Sequence, residues 1–222
     1  MFYWVLKTVV LGPLLKLLFR PWVEGEEHIP EEGAAIFASN HLSFSDSIFL
    51  PLMVPRRMTF LAKSDYFTGR GIKGKATAAF FKGVGQVPVD RSGGKAGEAA
   101  LNSGLRILRR GELLGIYPEG TRSPDGRLYR GRTGVGWLAL TTGAPVIPVG
   151  LIGTEHLQPA DSKSVKPQHF TMKVGEPLYF DKTGPDHSLP ARRQATDRIM
   201  DAIAELSGQE RSTSYNQSKA TD

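Results

Sequence analysis

The sequence predicts an α/β domain with a largely parallel central sheet flanked by helices, preceded by a helical segment at a membrane interface. Three observations predict it. Short apolar runs alternate with helical patterns, as they do when parallel strands are covered on both faces. Polar residues gather just after several of those runs, where open α/β sheets collect their sites. The first nineteen residues are mostly apolar but short, and are interrupted by Gly12-Pro13.

Length and composition frame this reading. The chain has 222 residues, 40% of them hydrophobic and 23% charged, enough for one ordinary domain with a sizeable core. The formal net charge of +6 suits an anionic partner such as nucleic acid, a membrane surface or a phosphorylated substrate. With no cysteine, disulfides, thiolate catalysis and a cysteine acyl-enzyme are excluded. The histidines at 28, 41, 156, 169 and 187 are scattered and offer no close metal-binding pair, so no metal is expected.

Residues 2–19 carry only Lys7 and Lys16 as charges, with Arg20 following. A spanning helix needs about 20 apolar residues, and proline bends or breaks a helix. The pattern therefore predicts one bent or two short interfacial helices. Lys7, Lys16 and Arg20 would reach head groups, with Phe2, Trp4, Leu11, Leu14, Leu18 and Phe19 in the acyl region. The bland alternative is an ordinary helix packed on the core. Residues 21–33 read as a polar connector with His28 on the surface. The expected organisation is thus 1–20 interfacial segment, 21–207 core domain and 208–222 disordered polar tail.

The core begins with the strand Ala34 to Ala38, followed by Asn40-His41-Leu42-Ser43-Phe44-Ser45-Asp46 and an apolar helix over 48–54. Ser45 or Asp46 suits the helix N-cap. At a strand–turn–helix junction His41 can fold back onto Asp46, whose carboxylate then holds one imidazole nitrogen and leaves the other to take a proton. The plain alternative is a loop histidine and a capping aspartate. Met58 to Ala62 is a second strand, ending at Lys63. Residues 64–81 are partly helical, and 83–91 form an edge or bulged strand. Nine cations between Arg56 and Lys95 face only Asp65 and Asp90, which describes either a solvated basic face or a surface for phosphates and anionic lipid.

Ser92 to Arg110 is a helix stopped by Gly111. Leu113 to Tyr117 is a buried strand leading into Pro118-Glu119-Gly120-Thr121-Arg122-Ser123. There Arg122 offers a two-pronged phosphate contact and Gly120 close backbone approach. A short helix over 134–142, a strand over 144–153 whose prolines mark its start and a bulge or edge, late strands at 170–174 and 178–180, and a helix over 191–206 complete the domain.

Four blocks occur in order: Asn40-His41-x4-Asp46, Gly83 to Arg91, Tyr117 to Ser123, and Val146 to Gly150. Together they resemble the glycerolipid acyltransferases typified by bacterial 1-acylglycerol-3-phosphate acyltransferase, over roughly residues 22–180. The resemblance implies transfer of an acyl group from acyl-CoA or acyl carrier protein to the free hydroxyl of a lysophosphatidate, giving phosphatidate for phospholipid biosynthesis without a cofactor. His41 would be the general base and Asp46 its orienter. Glu119, Gly120, Thr121 and Arg122, with Lys63 and Arg91, would bind the acceptor phosphate. A serine acyl-enzyme on Ser43 or Ser45 is the mechanistic rival. The expected location is the cytoplasmic face of the membrane, peripheral or monotopic, among membrane lipids. Glycerol 3-phosphate, other lysophospholipids or a glycolipid are alternative acceptors. A catalytically silent lipid-binding protein is a rival from another class. A nucleic-acid module ranks last, having no basic motif interleaved with aromatics.

Overall fold

The computed structural model describes residues 2–63, 67–69, 71–83, 85–89, 96–157, 165–184 and 187–217. Seven strands form one sheet in the order β1-β7-β6-β2-β5-β3-β4. They are β1 (Trp22–Glu24), β2 (Ala35–Ser39), β3 (Met58–Lys63), β4 (Gln86–Val89), β5 (Leu113–Ile116), β6 (Val146–Ile152) and β7 (Thr171–Val174). Every pairing is parallel except β6 with β7. The helices are α1 (Phe2–Val5), α2 (Gly12–Phe19), α3 (Asp46–Met53), α4 (Gly71–Gly83), α5 (Ala96–Arg109), α6 (Gly134–Thr142), α7 (Thr154–Leu157) and α8 (Leu189–Ser207), with a π-helical turn over Leu6–Leu11 joining α1 to α2.

Strand alternation divides the core between the two faces of the sheet. Ala35 and Phe37 of β2 join Leu113, Ile147 and Val149 beneath Leu50, Leu52 and Met53 of α3. Ile36 and Ala38 point the other way, to Ile107 and Leu108 of α5, Val135 and Leu138 of α6, and Ile199, Met200 and Ile203 of α8. With both faces covered, the central strands read as unbroken apolar runs.

Pro148 does not mark an edge, because β6 lies between β7 and β2; the pairing is bulged beside it, with four residue steps from Val174 to Leu178 opposing three from Val146 to Val149. Val146 exchanges hydrogen bonds with Leu178 on the β7 side. Pro148, two residues on, faces that same side, beyond the end of β7. Its carbonyl accepts from Gly175 N at 2.9 Å, while its ring nitrogen has no hydrogen to return. The strand expected at 178–180 is a single bridge, Leu178 to Val146. The connector at 21–33 contains β1, parallel to β7, and His28 is half-buried with Nδ1 at 2.8 Å from Val174 O.

Two of the expected interfacial residues are instead core. Lys7 is 8% exposed and donates to the carbonyls of Pro51 (2.8 Å), Val54 and Arg56 (3.3 Å). These lie at or just beyond the C-terminal end of α3, where orphan carbonyls and the negative end of the helix dipole attract a cation. Burial, with Lys16 adding repulsion, pushes its ammonium down to about 8. Phe19 is buried against Phe49, their ring centroids 4.9 Å apart, in a cluster with Leu157 and Phe170. Trp4, Leu14, Lys16 and Leu18 are exposed, as is Leu17. The side chains of Phe2 and Leu11 lie outside the described residues. Among the described residues no helix is long and apolar enough to cross a membrane.

The tail does not become disordered at 208. Residues 208–217 lie along the segment 128–132, with Leu128 N to Glu210 O, Ser212 N to Leu128 O and Arg130 N to Ser214 O at 2.8–2.9 Å.

Candidate active site

Ser39, the last residue of β2, stands opposite Val149 of β6. Beyond it the buried Asn40 extends the pairing with its side chain, donating from Nδ2 to Leu151 O at 2.8 Å and accepting at Oδ1 from Leu151 N at 2.7 Å. The chain then turns through Ser43, and Asp46 opens α3. Asp46 Oδ2 accepts from Leu42 N at 2.8 Å and Ser43 N at 2.7 Å, and lies 2.9 Å from His41 Nδ1. The carboxylate closes its own turn and fixes Nδ1 as the protonated nitrogen, leaving Nε2 as the acceptor. Asp46 is fully buried while His41 keeps 14% of its side chain exposed. Ser45 is the N-cap residue, yet its side chain caps nothing.

Pro51 lies inside α3, where its missing N–H frees the carbonyl of Ser47. Gln86 supplies the missing donor, its Nε2 lying 3.2 Å from Ser47 O. With Gln86 serving the Ser47 carbonyl and Lys7 the C-terminal ones, the short helix that begins with Asp46 is held at both places where its own ladder fails.

Tyr117 backs His41. Its ring stacks on His41 with centroids 4.0 Å apart and planes 9° apart. Phe60 stacks behind Tyr117 at 5.3 Å. A Cβ at Gly115 would meet the Phe60 ring at 2.2 Å, so glycine in β5 is what lets the column Phe60–Tyr117–His41 form. Burial, and the negative charge of Asp46 beside it, push the Tyr117 phenol well above its ordinary range, so it stays neutral.

The Glu119–Arg122 segment follows β5 and reaches the same place. Ser123 N donates to His41 O at 2.8 Å. Glu119 is 1% exposed, and its two carboxylate oxygens accept from His41 N at 3.2 Å and Tyr129 N at 2.9 Å. A carboxylate enclosed in this way does not face a phosphate, and its placement among the phosphate contacts is corrected to that of a brace on the main chain of His41. Burial raises its carboxyl to about 7, against the lowering effect of the two N–H donors. Gly120 has φ of +83°, and a Cβ there would meet Arg132 Nε at 2.9 Å. Thr121 and Arg122 are partly exposed. The Arg122 main chain is held by Asn216, whose Nδ2 donates to Arg122 O at 2.8 Å.

Lys63 ends β3, next to β5 in the sheet. Its side chain lies outside the described residues, as does the whole of Arg91. Ser43 and Ser45, the candidates for a serine nucleophile, are both buried, and Ser43 Oγ accepts from Ser45 N at 3.3 Å. Among the described residues no three His, Cys, Asp or Glu gather as a metal site.

Sequence reasoning included Asn40 and Tyr117 in its motifs without giving either a role, and missed the brace role of Glu119. The signal for Tyr117 was its place, an aromatic ring at the carboxyl end of a buried strand directly before the Pro-Glu-Gly segment.

A family model described as Acyltransferase matches residues 20–152. The chain is 33% identical over 144 residues to the chloroplastic 1-acyl-sn-glycerol-3-phosphate acyltransferase LPAT1 of Arabidopsis thaliana, which covers 64% of this chain and 39% of that protein. It is 28% identical over 160 residues to the 1-acyl-sn-glycerol-3-phosphate acyltransferase of Bacillus subtilis, covering 71% of this chain and 73% of that one. The chain thus spans less than half the length of the plant relative and nearly three-quarters of the bacterial one. The crystal structure of the 1-acyl-sn-glycerophosphate (LPA) acyltransferase PlsC from Thermotoga maritima superposes with a TM-score of 0.64 at 27% identity, covering 90% of this chain and 80% of that one. The stretch that matches the family model contains His41, Asp46, Tyr117 and the Glu119–Arg122 turn, and the chain belongs to the acyltransferase family.

Proposed function

We propose that this protein acylates the free hydroxyl of 1-acylglycerol-3-phosphate, using acyl-CoA or acyl carrier protein as donor and yielding phosphatidate. The observation that carries the reading is the 2.9 Å contact between His41 Nδ1 and the buried Asp46 carboxylate, which leaves a partly exposed ring with Nε2 free.

In this mechanism His41 Nε2 takes the proton from the acceptor hydroxyl as its oxygen attacks the thioester carbonyl. The tetrahedral intermediate collapses, the C–S bond breaks, and the imidazolium returns the proton to the departing thiolate. Asp46 holds Nδ1 throughout and stabilises the imidazolium. No covalent enzyme intermediate forms, which accords with the absence of cysteine and with the burial of Ser43 and Ser45. Glu119 holds the main chain of His41 in place. The Arg122 guanidinium, which has no ion-pair partner among the described residues, receives the acceptor phosphate in bidentate fashion. Thr121 and the Gly120 backbone, with Lys63 and Arg91, complete that contact.

A lysophosphatidate keeps its chain in the bilayer, so the enzyme works from the cytoplasmic leaflet as a peripheral or monotopic protein. The exposed Trp4, Leu14, Leu17 and Leu18, with Lys16 beside them, have the composition of an interfacial surface.

The test is an acceptor panel with the purified full chain: glycerol 3-phosphate, lysophosphatidate and other lysolipids, each with acyl-CoA and with acyl carrier protein, resolved by product. Phosphatidate from lysophosphatidate is expected, and His41→Ala should abolish it. Preference for another acceptor overturns the substrate assignment, and substantial turnover by folded His41→Ala overturns the base.

A further inference from the structure

Residues 208–217 lie beyond the stretch that matches the family model. Their composition is polar, yet besides pairing with segment 128–132 they are tied by side chains to the loops that carry His41 and Arg122. Gln209 Oε1 accepts from Asn40 Nδ2 at 2.7 Å, while its Nε2 donates to Gly126 O at 2.6 Å. Asn40 is the residue directly before the base. Six residues from the chain end, Asn216 is only 3% exposed, and its Nδ2 donates to Arg122 O at 2.8 Å. Its own carbonyl receives Arg132 Nη2 at 3.4 Å. Between these two points Tyr215 lies under the guanidinium groups of Arg130 and Arg132, at 5.2 and 5.9 Å from its ring centre.

A tail that merely closed the fold would bury apolar side chains. This one buries an asparagine amide and aims it at the carbonyl of the arginine assigned to the acceptor phosphate. We infer that the C-terminal strap is a positioning element of the active site: Asn216 fixes the main chain that carries Arg122, and Gln209 fixes Asn40 and through it the entry to His41. This rests on the roles proposed above for Arg122 and His41. Neither strap residue touches substrate. Each acts through the residue it holds, so each should move a different kinetic constant.

The experiment measures steady-state kinetics of the full chain with lysophosphatidate and acyl-CoA in vesicles of fixed composition, with thermal unfolding of each variant in parallel. Asn216→Ala should raise the acceptor KM about tenfold with kcat little changed, the worth of one directed hydrogen bond. In an Arg122→Ala background it should add nothing further. Gln209→Ala should lower kcat about tenfold. Gln209→Glu keeps an acceptor for Asn40 Nδ2 and should restore most of it, although it loses the Gly126 contact. Activity that falls only in proportion to the unfolded fraction, with KM unmoved in Asn216→Ala, overturns the inference. If Arg122→Ala raises KM and Asn216→Ala does not, the strap proposal alone fails. If Arg122→Ala itself leaves KM unchanged, the phosphate role fails and takes the Asn216 half with it.

Discussion

Replacing Asp46 by Asn tests the catalytic pair most directly, because the change preserves shape and removes charge. The amide oxygen can take the place of Oδ2 and still accept from Leu42 N and Ser43 N, so the turn keeps its two main-chain bonds. The amide nitrogen falls where Oδ1 now sits, a buried position with no partner among the described residues. An unpaired buried donor costs about 1–3 kcal/mol, which lowers the melting temperature without unfolding the domain. The catalytic loss is larger. The carboxylate lies 2.9 Å from Nδ1. Unit charges about 4 Å apart at an effective dielectric near 20 attract by about 4 kcal/mol. Losing that attraction for the imidazolium should lower kcat/KM by about three orders of magnitude. The assay follows thiol release from acyl-CoA with lysophosphatidate present, at a temperature where circular dichroism shows the variant folded. A folded Asp46→Asn protein that keeps more than about a tenth of wild-type turnover refutes the reasoning.

Other expectations follow from buried charge and exposed apolar surface. The Glu119 carboxyl is raised from 4.5 to about 7, so the folded chain holds its proton more tightly than the unfolded chain. Stability attributable to this group is therefore present at low pH and lost as pH climbs through that window. Compared with Glu119→Gln, the wild type should lose up to about 3 kcal/mol of unfolding free energy between pH ~4.5 and ~7, at about 1.4 kcal/mol per unit. A difference that stays flat in denaturant titrations across that range contradicts the assignment. Replacing Leu14, Leu17 and Leu18 together by Gln should weaken sedimentation with anionic liposomes about a thousandfold, at about 1.5 kcal/mol per leucine, while the melting temperature stays put. Unchanged liposome binding would move the membrane contact elsewhere.

What could be read in the sequence depended on how far the relevant physics reaches along the chain. Strands β2, β5 and β6 are covered on both faces, so their apolar runs stand out in any window. The pairing of His41 with Asp46 was legible because Asp46 makes its contacts within five residues, to His41, Leu42 and Ser43. Lys7 misled because a lysine in an apolar segment reads as a head-group contact, whereas its acceptors are carbonyls more than forty residues away. Glu119 misled for a similar reason: its motif announces an anion site, but the donors that claim its carboxylate come from two other loops. The tail carries no periodicity at all. Its order comes from main-chain pairing with 128–130 and from two side-chain amides, and neither leaves a mark on composition.

The column of rings behind His41 bears on the timing of catalysis. The imidazole is held along one edge by Asp46 and across one face by Tyr117, while its own main chain is fixed by Glu119 and Ser123. A free histidine side chain samples several rotamers, and selecting one of them is an entropic cost. Here that cost is met once, when the domain folds, and is not repeated at each turnover. The imidazole therefore stands oriented before anything binds, and in the proposed reaction the ordering left for the encounter belongs to the lipid and the thioester.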